Sequence, residues 1–341
     1  MRNTNYNVWL HRFAKLVVGA TFILIFVGGL VTSTDSGLAV PDWPTTYGQF
    51  MFSFPLSQMV GGILYEHGHR LVASVVGMLM VILAVWLWLK EPRRWVKRLG
   101  WLALLAVIVQ GILGGLTVLF FLPTAISVSH GALAQTFFCL TICLALFTSR
   151  EWQRDPTKAE DAHRPALQTL TIATTAAVFI QLLLGAVMRH TKSGLAIPDF
   201  PLAFGKLIPP FDSAKIAIHF SHRLGALIVT LLVIWTAARI LQHYRHEKKL
   251  FRPALLLLGA LTAQLTLGAF TIWTQKAVLI TTAHVATGAL ILGTSLVLAL
   301  RAYRLLIVSV RNPAEDEIRD ILRQTSQGIP NGVIINEKSK I

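Results

Sequence analysis

The feature that most limits what this chain can fold into is a series of long stretches without a charged side chain. About 20 helical residues cross a bilayer's hydrocarbon core, and runs of that order occupy 16–34, 71–89, 165–188, 253–275 and 277–300. Residues 99–149 hold no Lys, Arg, Asp or Glu over 51 positions, which suits two helices turning near Leu122-Pro123. The shorter run 224–238 must extend back through His222 toward Ser213 to span. These stretches predict eight helices in an all-α membrane protein. With 54% hydrophobic and only 14% charged residues in 341, the composition excludes a soluble domain. The first apolar run is too long for a cleaved signal peptide and no small-residue cleavage pattern follows it, so it is expected to stay as the first helix.

The net charge of +15 is explained by topology rather than by nucleic acid. Lys90, Arg93, Arg94, Lys97 and Arg98 crowd one loop, Arg150, Arg154, Lys158 and Arg164 a second, and Arg245, Lys248, Lys249 and Arg252 a third. Alternating helices put all three on one side, together with Arg2, Arg12 and Lys15 and the C-terminal tail. By the positive-inside rule that side is cytoplasmic, which predicts an inner-membrane protein with both termini in the cytoplasm. The loop 32–65 has no Lys or Arg, as an outer loop should. Arg189, Lys192, Lys206 and Lys215 break the rule on the outer side. They either serve an anionic ligand or are a tolerated violation.

An internal repeat sets the architecture. Ser36-Gly37-Leu38-Ala39-Val40-Pro41-Asp42-Trp43-Pro44 matches Ser193-Gly194-Leu195-Ala196-Ile197-Pro198-Asp199-Phe200-Pro201 at an offset of 157 residues. His69 pairs with His222 at an offset of 153 and His130 with His284 at 154, while Gln110 and Gln264 each precede the second histidine of their half by 20. Four helices per half is an even number, so the halves keep the same orientation and form two tandem four-helix bundles related by a pseudo-twofold axis along the membrane normal. The halves are read as 1–150 and 166–304. A cytoplasmic linker, 151–165, joins them, and a cytoplasmic, poorly ordered tail, 305–341, follows.

The stretch Glu66-His67-Gly68-His69-Arg70 opens the second span, and His219-Phe220-Ser221-His222-Arg223 repeats it with His219 in place of Glu66. Three residues apart on a helix, Glu66 and His69 share a face. His69, His130, His222 and His284 all fall at the outer ends of even-numbered spans. Each half therefore offers two histidines from two helices at one level, the arrangement that clamps a haem iron from both faces within a bundle. One such histidine could be a lone polar group satisfied by a carbonyl, but four at repeated positions point to function. Arg70 and Arg223, next to these histidines, are candidates for pairing with haem propionates, with interfacial snorkelling as the alternative.

Other residues carry weaker signals. Cys139 and Cys143 lie within the bilayer and are expected to pack as small hydrophobes. Gln110, Gln135, Gln181 and Gln264 are placed to hydrogen-bond between helices. Gly28-Gly29, Gly114-Gly115, Gly185-Ala186 and Gly268-Ala269 mark close helix approach. The repeated Pro-Asp-aromatic-Pro loop reads as a rigid lid over each site from outside. His11, His163, His243 and His246 stand among basic residues and are given no chemistry.

The combination of Glu66-x-x-His69-Arg70, His130, His222-Arg223, His284 and the duplicated Gly-Leu-Ala-x-Pro-Asp-aromatic-Pro loop resembles the haem A synthase family, over nearly the whole chain from His11 to Arg304. The resemblance implies an oxygen-dependent oxidoreductase that oxidises the C8 methyl group of haem O to a formyl group, giving haem A for terminal oxidase assembly. It implies a b-type haem cofactor in one half and haem O as substrate in the other. Many relatives carry a cysteine pair in the first outer loop and this chain has none, so it resembles the cysteine-free branch. Glu66 occurs in the first half only, which assigns haem O to His69 and His130, with Glu66 as the catalytic carboxylate, and the cofactor haem to His222 and His284. The expected partners are haem O synthase as supplier, an electron donor that the sequence does not specify, and membrane lipid. A homo-oligomer is compatible with the pattern. A dihaem b-type electron carrier and a haem transporter or chaperone are the rival readings.

Overall fold

The computed structural model describes residues 6–308. Its long helices are α1 (Val8–Ser33), α2 (Gly62–Lys90), α3 (Arg94–Leu119), α4 (Thr124–Phe147), α6 (Leu167–His190), α7 (Ala214–His243), α8 (Lys248–Trp273) and α9 (Val278–Leu305). All eight are long and apolar enough to cross a membrane. The chain is thus an all-α, multi-pass membrane protein. A one-turn helix, α5 (Arg150–Gln153), and a short strand, β1 (Ala159–Asp161), lie between α4 and α6, and β2 (Leu306–Val308) follows α9.

Local chemistry sets the helix ends. Asn7 caps α1, its Oδ1 accepting from the N–H groups of Trp9 at 3.1 Å and Leu10 at 3.0 Å, two donors the helix itself cannot satisfy. Ser213 caps α7 by accepting from the Ile216 N–H, so this span does begin where the sequence required. Phe121 and Leu122 take φ of 57° and 58° before Pro123, which makes the tight turn between α3 and α4. Pro253 lies inside α8 and has no N–H for the Lys249 carbonyl one turn back. Arg301 of α9 donates to that carbonyl instead, at 2.9 Å.

Within the first half α1 packs on α2 and α4, and α3 on α2 and α4; within the second, α6 packs on α7 and α9, and α8 on α7 and α9. The halves meet through α1 on α9, α4 on α6 and α4 on α9. Exchanging the halves maps this pattern onto itself, which fits two tandem bundles about a pseudo-twofold axis. Each half has its own apolar core, Val76, Met80 and Leu83 in one and Val233, Leu257 and Leu292 in the other. Phe138, Ile142 and Ala289 form a smaller cluster where the halves join.

The linker is ordered against the far end of the chain. β1 runs parallel to β2, with Ala159 opposite Leu306 and Asp161 opposite Val308. The buried Asp161 carboxylate accepts from the Leu167 N–H at 2.6 Å and so starts α6. Of the segment expected to be a poorly ordered tail, Leu305 ends α9 and 306–308 form this strand. The remainder lies outside the described residues.

Candidate functional site

The repeated loops fold alike. The Asp42 carboxylate accepts from the N–H groups of Tyr47 at 2.8 Å and Gly48 at 2.9 Å, and Asp199 accepts from Phe204 and Gly205 at the same distances. Both loops turn on an aromatic residue followed by Gly with positive φ, 50° and 73° at Tyr47-Gly48, 55° and 73° at Phe204-Gly205. Only glycine adopts the second of these without cost. Burial works against the Asp42 charge, but the donors from Gly48, Thr45 and Tyr47 outweigh it and hold its carboxyl below the ordinary range. The Gly205 and Phe204 N–H groups do the same for Asp199.

Each loop is latched to the helix that follows it. Arg70 of α2 donates to the carbonyls of Asp42 at 2.7 Å, Thr45 at 3.0 Å and Val40 at 3.0 Å, and to Glu66 Oε1 at 2.7 Å. Glu66 Oε2 in turn accepts the Val40 N–H at 2.7 Å. In the second half Arg223 donates to the carbonyls of Leu202 at 2.8 Å, Ile197 at 3.3 Å and Asp199 at 2.7 Å, and the Ile197 N–H donates to His219 Nδ1 at 3.2 Å. Glu66 and His219 therefore hold equivalent backbone N–H groups. The sequence offered Arg70 and Arg223 to haem propionates; the structure occupies both guanidiniums with lid carbonyls, which a planar donor fork satisfies several at a time. His67 adds a further tie in the first half, Nδ1 lying 3.0 Å from Thr46 Oγ1.

Beneath the lids stand the four histidines, each seated on a glycine of the preceding helix. A Cβ placed on Gly28 would lie 3.1 Å from Cε1 of His69; for Gly114 and His130 the distance is 3.1 Å, for Gly185 and His222 3.1 Å, and for Gly268 and His284 3.2 Å. Any larger residue would push the ring away. Sequence reasoning placed the histidines and noticed the glycines but did not connect them. His69 and His130 lie within electrostatic reach of each other, as do His222 and His284. Three of the rings face a glutamine amide: Gln110 Nε2 is 3.3 Å from His130 Nε2, Gln181 Nε2 3.1 Å from His222 Nδ1, and Gln264 Nε2 3.4 Å from His284 Nε2. His69 has none, because Leu24 stands where the repeat places Gln181 in the second half. The buried Nδ1 atoms of His69 and His130 have no partner among the described residues.

The lids also reach the glycine-bearing helices α3 and α8 through their aromatic residue, Trp43 at Gly115 and Phe200 against Trp273. Trp43 lies flat against Gly115, where a Cβ would overlap the indole. The second half has the smaller Phe200 and, in place of Gly115, Ala269, so two differences between the repeats compensate in volume.

Arg189 and His190, at the lid end of α6, sit between the halves. Arg189 donates to Ser33 Oγ at 2.8 Å and lies within electrostatic reach of Asp35 and of His284, while His190 is within reach of His130. Of the two, only Arg189 had a signal in the sequence, a cation in a loop expected to be poor in them; His190 had none. Cys139 and Cys143 are free and partly buried, Cys139 against the second half's core. No cluster of three or more His, Cys, Asp or Glu able to hold a bare metal ion occurs among the described residues. A haem iron needs no such cluster, since four of its ligands are porphyrin nitrogens.

Residues 51–296 match a family model described as "Cytochrome oxidase assembly protein", a span containing Glu66 and all four histidines. The chain belongs to this family. Among similar proteins, the "Heme A synthase" of Symbiobacterium thermophilum is 32% identical over 268 residues, covering 76% of this chain and 84% of its own length. That of Halalkalibacterium halodurans is 31% identical over 252 residues, covering 69% and 80%. That of Lysinibacillus sphaericus is 26% identical over 314 residues, covering 90% and 97%.

Proposed function

We propose that this family member is a haem A synthase, an oxidoreductase that converts the C8 methyl group of haem O to the formyl group of haem A. The observation that carries the proposal is the set of four glycine-seated histidines, two per bundle, under latched lids. In each bundle two imidazoles from different helices would hold a haem iron. The glycine fixes where each ring lies, and the unpartnered nitrogens of His69 and His130 are free to ligate.

We place haem O in the first half, on His69 and His130, and a b-type haem in the second, on His222 and His284. Two asymmetries support that order. Both imidazoles of the second half have a glutamine beside them as well as a glycine seat, which suits a permanent cofactor, whereas His69 rests on Gly28 without a glutamine, as suits a substrate that exchanges. The first half alone has a carboxylate beside its histidine. Two of the roughly four acceptor sites of Glu66 are taken by Arg70 and Val40, so it is held in place as a negative charge with acceptor capacity to spare. Such a group, fixed near a carbon being oxidised, stabilises developing positive charge or takes a proton. When bound, the b-type haem supplies one-electron transfer, and molecular oxygen is the oxidant. The lids exclude water, and Arg189, whose guanidinium donates to Ser33 of the other half, is a cation at the junction for a porphyrin carboxylate. The inner membrane with both termini cytoplasmic, delivery of haem O by haem O synthase, and use of the product in terminal oxidase assembly complete the reading. A dihaem electron carrier would be served by the imidazole latch that His219 makes in the second half and has no need of a carboxylate in its place.

The test is spectroscopic. His222→Ala or His284→Ala should abolish the tightly bound b-type absorption, while His69→Ala or His130→Ala should spare most of it. A His222→Ala protein with the full b-type spectrum would reverse or refute the assignment of halves.

A further inference from the structure

A second concave feature lies at the opposite end of the molecule from the histidine lids, in the seam between the halves. It is a cleft of about 700 Å³ walled by α1, α4, α8 and α9. Its walls are polarised along the helix axes. Lys15, Lys248, Lys249, Arg252 and Arg301 surround one end, and Val18, Phe138, Ile142, Leu256, Leu290 and Val297 line the rest. Arg301 is the only one of the five cations with an ion pair among those described, to Glu151 at 3.1 Å. Lys15, Lys248, Lys249 and Arg252 are exposed and without a carboxylate partner among the described residues, so four like charges face one opening. Such crowding is unfavourable unless an anion is present.

The dimensions agree with one kind of anion. From Leu290 to Arg301 on α9 the wall rises about 16 Å at 1.5 Å per residue, with α4 alongside it from Phe138 to its end at Phe147. That is about half of the roughly 30 Å hydrocarbon core, the depth of a single leaflet. The cationic end coincides with the helix ends that carry the basic loops, which is where headgroups lie. Its polar end is therefore at headgroup level and its apolar wall at acyl-chain level, and basic pockets between membrane helices on that side suit anionic headgroups.

We propose that this cleft binds an anionic phospholipid, one acyl chain lying along Phe138, Leu290 and Val297 and the phosphate held by Lys15, Lys248, Lys249 and Arg252. The bound lipid fills the cationic end of the seam between the two halves, beside the packing of α1 on α9 and the Phe138, Ile142 and Ala289 cluster. A zwitterionic headgroup would bring a further cation into the ring of four and is selected against.

Full-length protein purified in detergent is titrated with phosphatidylglycerol, with phosphatidylcholine and with inorganic phosphate, and retained ligand is counted by native mass spectrometry. The parent should retain one phosphatidylglycerol under conditions that remove phosphatidylcholine. The triple variant K248Q/K249Q/R252Q should bind it about 100-fold more weakly, the product of roughly fivefold for each cation removed at the membrane surface. Leu256→Trp, which narrows the apolar wall and leaves the charges intact, should also weaken lipid binding at least tenfold. Thermal unfolding and haem content are measured on every variant, so that loss of fold is not read as loss of binding. Equal retention of the two lipids, unchanged binding by a folded triple variant, or displacement by millimolar inorganic phosphate would each overturn the proposal. So would a porphyrin, seen by its Soret band, that is lost from the triple variant alone.

Discussion

At the scale of single residues, the account turns on what replaces what between the two halves. Glu66 and His219 perform the same latch on a loop N–H, yet one is an anion and the other an imidazole. The repeat thus supplies its own control: Glu66→His should rebuild the second half's latch in the first half. We expect that variant to keep its lid and both haem sites but to form haem A about 10²–10⁴-fold more slowly, the usual contribution of a proton-transfer group. Glu66→Gln should lose as much rate and also loosen the lid, because Arg70 and Val40 donate to different oxygens and the amide puts an NH2 donor in place of one of them. Haem O, hydroxylated intermediate and haem A measured by chromatography decide between the roles. Haem A at the parent level from Glu66→His would leave Glu66 as a latch only. The histidines were legible in the sequence because a charge-poor helix makes a repeated imidazole conspicuous. Their seats on Gly28, Gly114, Gly185 and Gly268 were not, because glycine is common in membrane helices and its purpose depends on what faces it.

At the scale of elements, the lids are small folded units rather than covers of loose chain. Asp42 accepts three hydrogen bonds within one loop, and its carboxyl is held below the ordinary range. A group whose folded pKa is depressed adds stability that is present above its unfolded value and is lost as pH falls through the folded one. The first lid should therefore stay closed from neutral pH down to about 4, the ordinary aspartate value, and open only below it. Brief pepsin digestion at stepped pH reads this out, since Tyr47, Phe50 and Phe52 are exposed on the loop. Asp42→Asn, with one acceptor oxygen for several donors, should already be cleaved there at pH 5. Parent loop cut at pH 5 as readily as the variant would remove the Asp42 carboxylate from the account. The sequence showed that a rigid loop recurs twice, through its Pro-Asp-aromatic-Pro pattern. It could not show the latch, because Arg70 and Arg223 bind backbone carbonyls, which carry no residue identity.

At the scale of the whole molecule, eight spans and a duplicated bundle were legible because bilayer thickness and charge avoidance act on every residue of a span. The seam was not legible: the α1 to α9 and α4 to α6 contacts follow from how two bundles meet, not from either bundle's own pattern. Orientation remains a prediction from the basic loops. A reporter inserted near Gly48 should be active only outside the cytoplasm and one fused after Ile341 only within it, and the reverse result would invert the whole assignment of inner and outer ends. Whether paired histidines in two bundles carry the conversion of haem O to haem A is read from the haems themselves. The protein is expressed in a host that makes haem O but has no enzyme of this family, and the extracted haems are separated by chromatography. Haem A is expected in cells carrying the parent and none in cells carrying His69→Ala; haem O alone beside a parent protein loaded with b-type haem would overturn the proposed function.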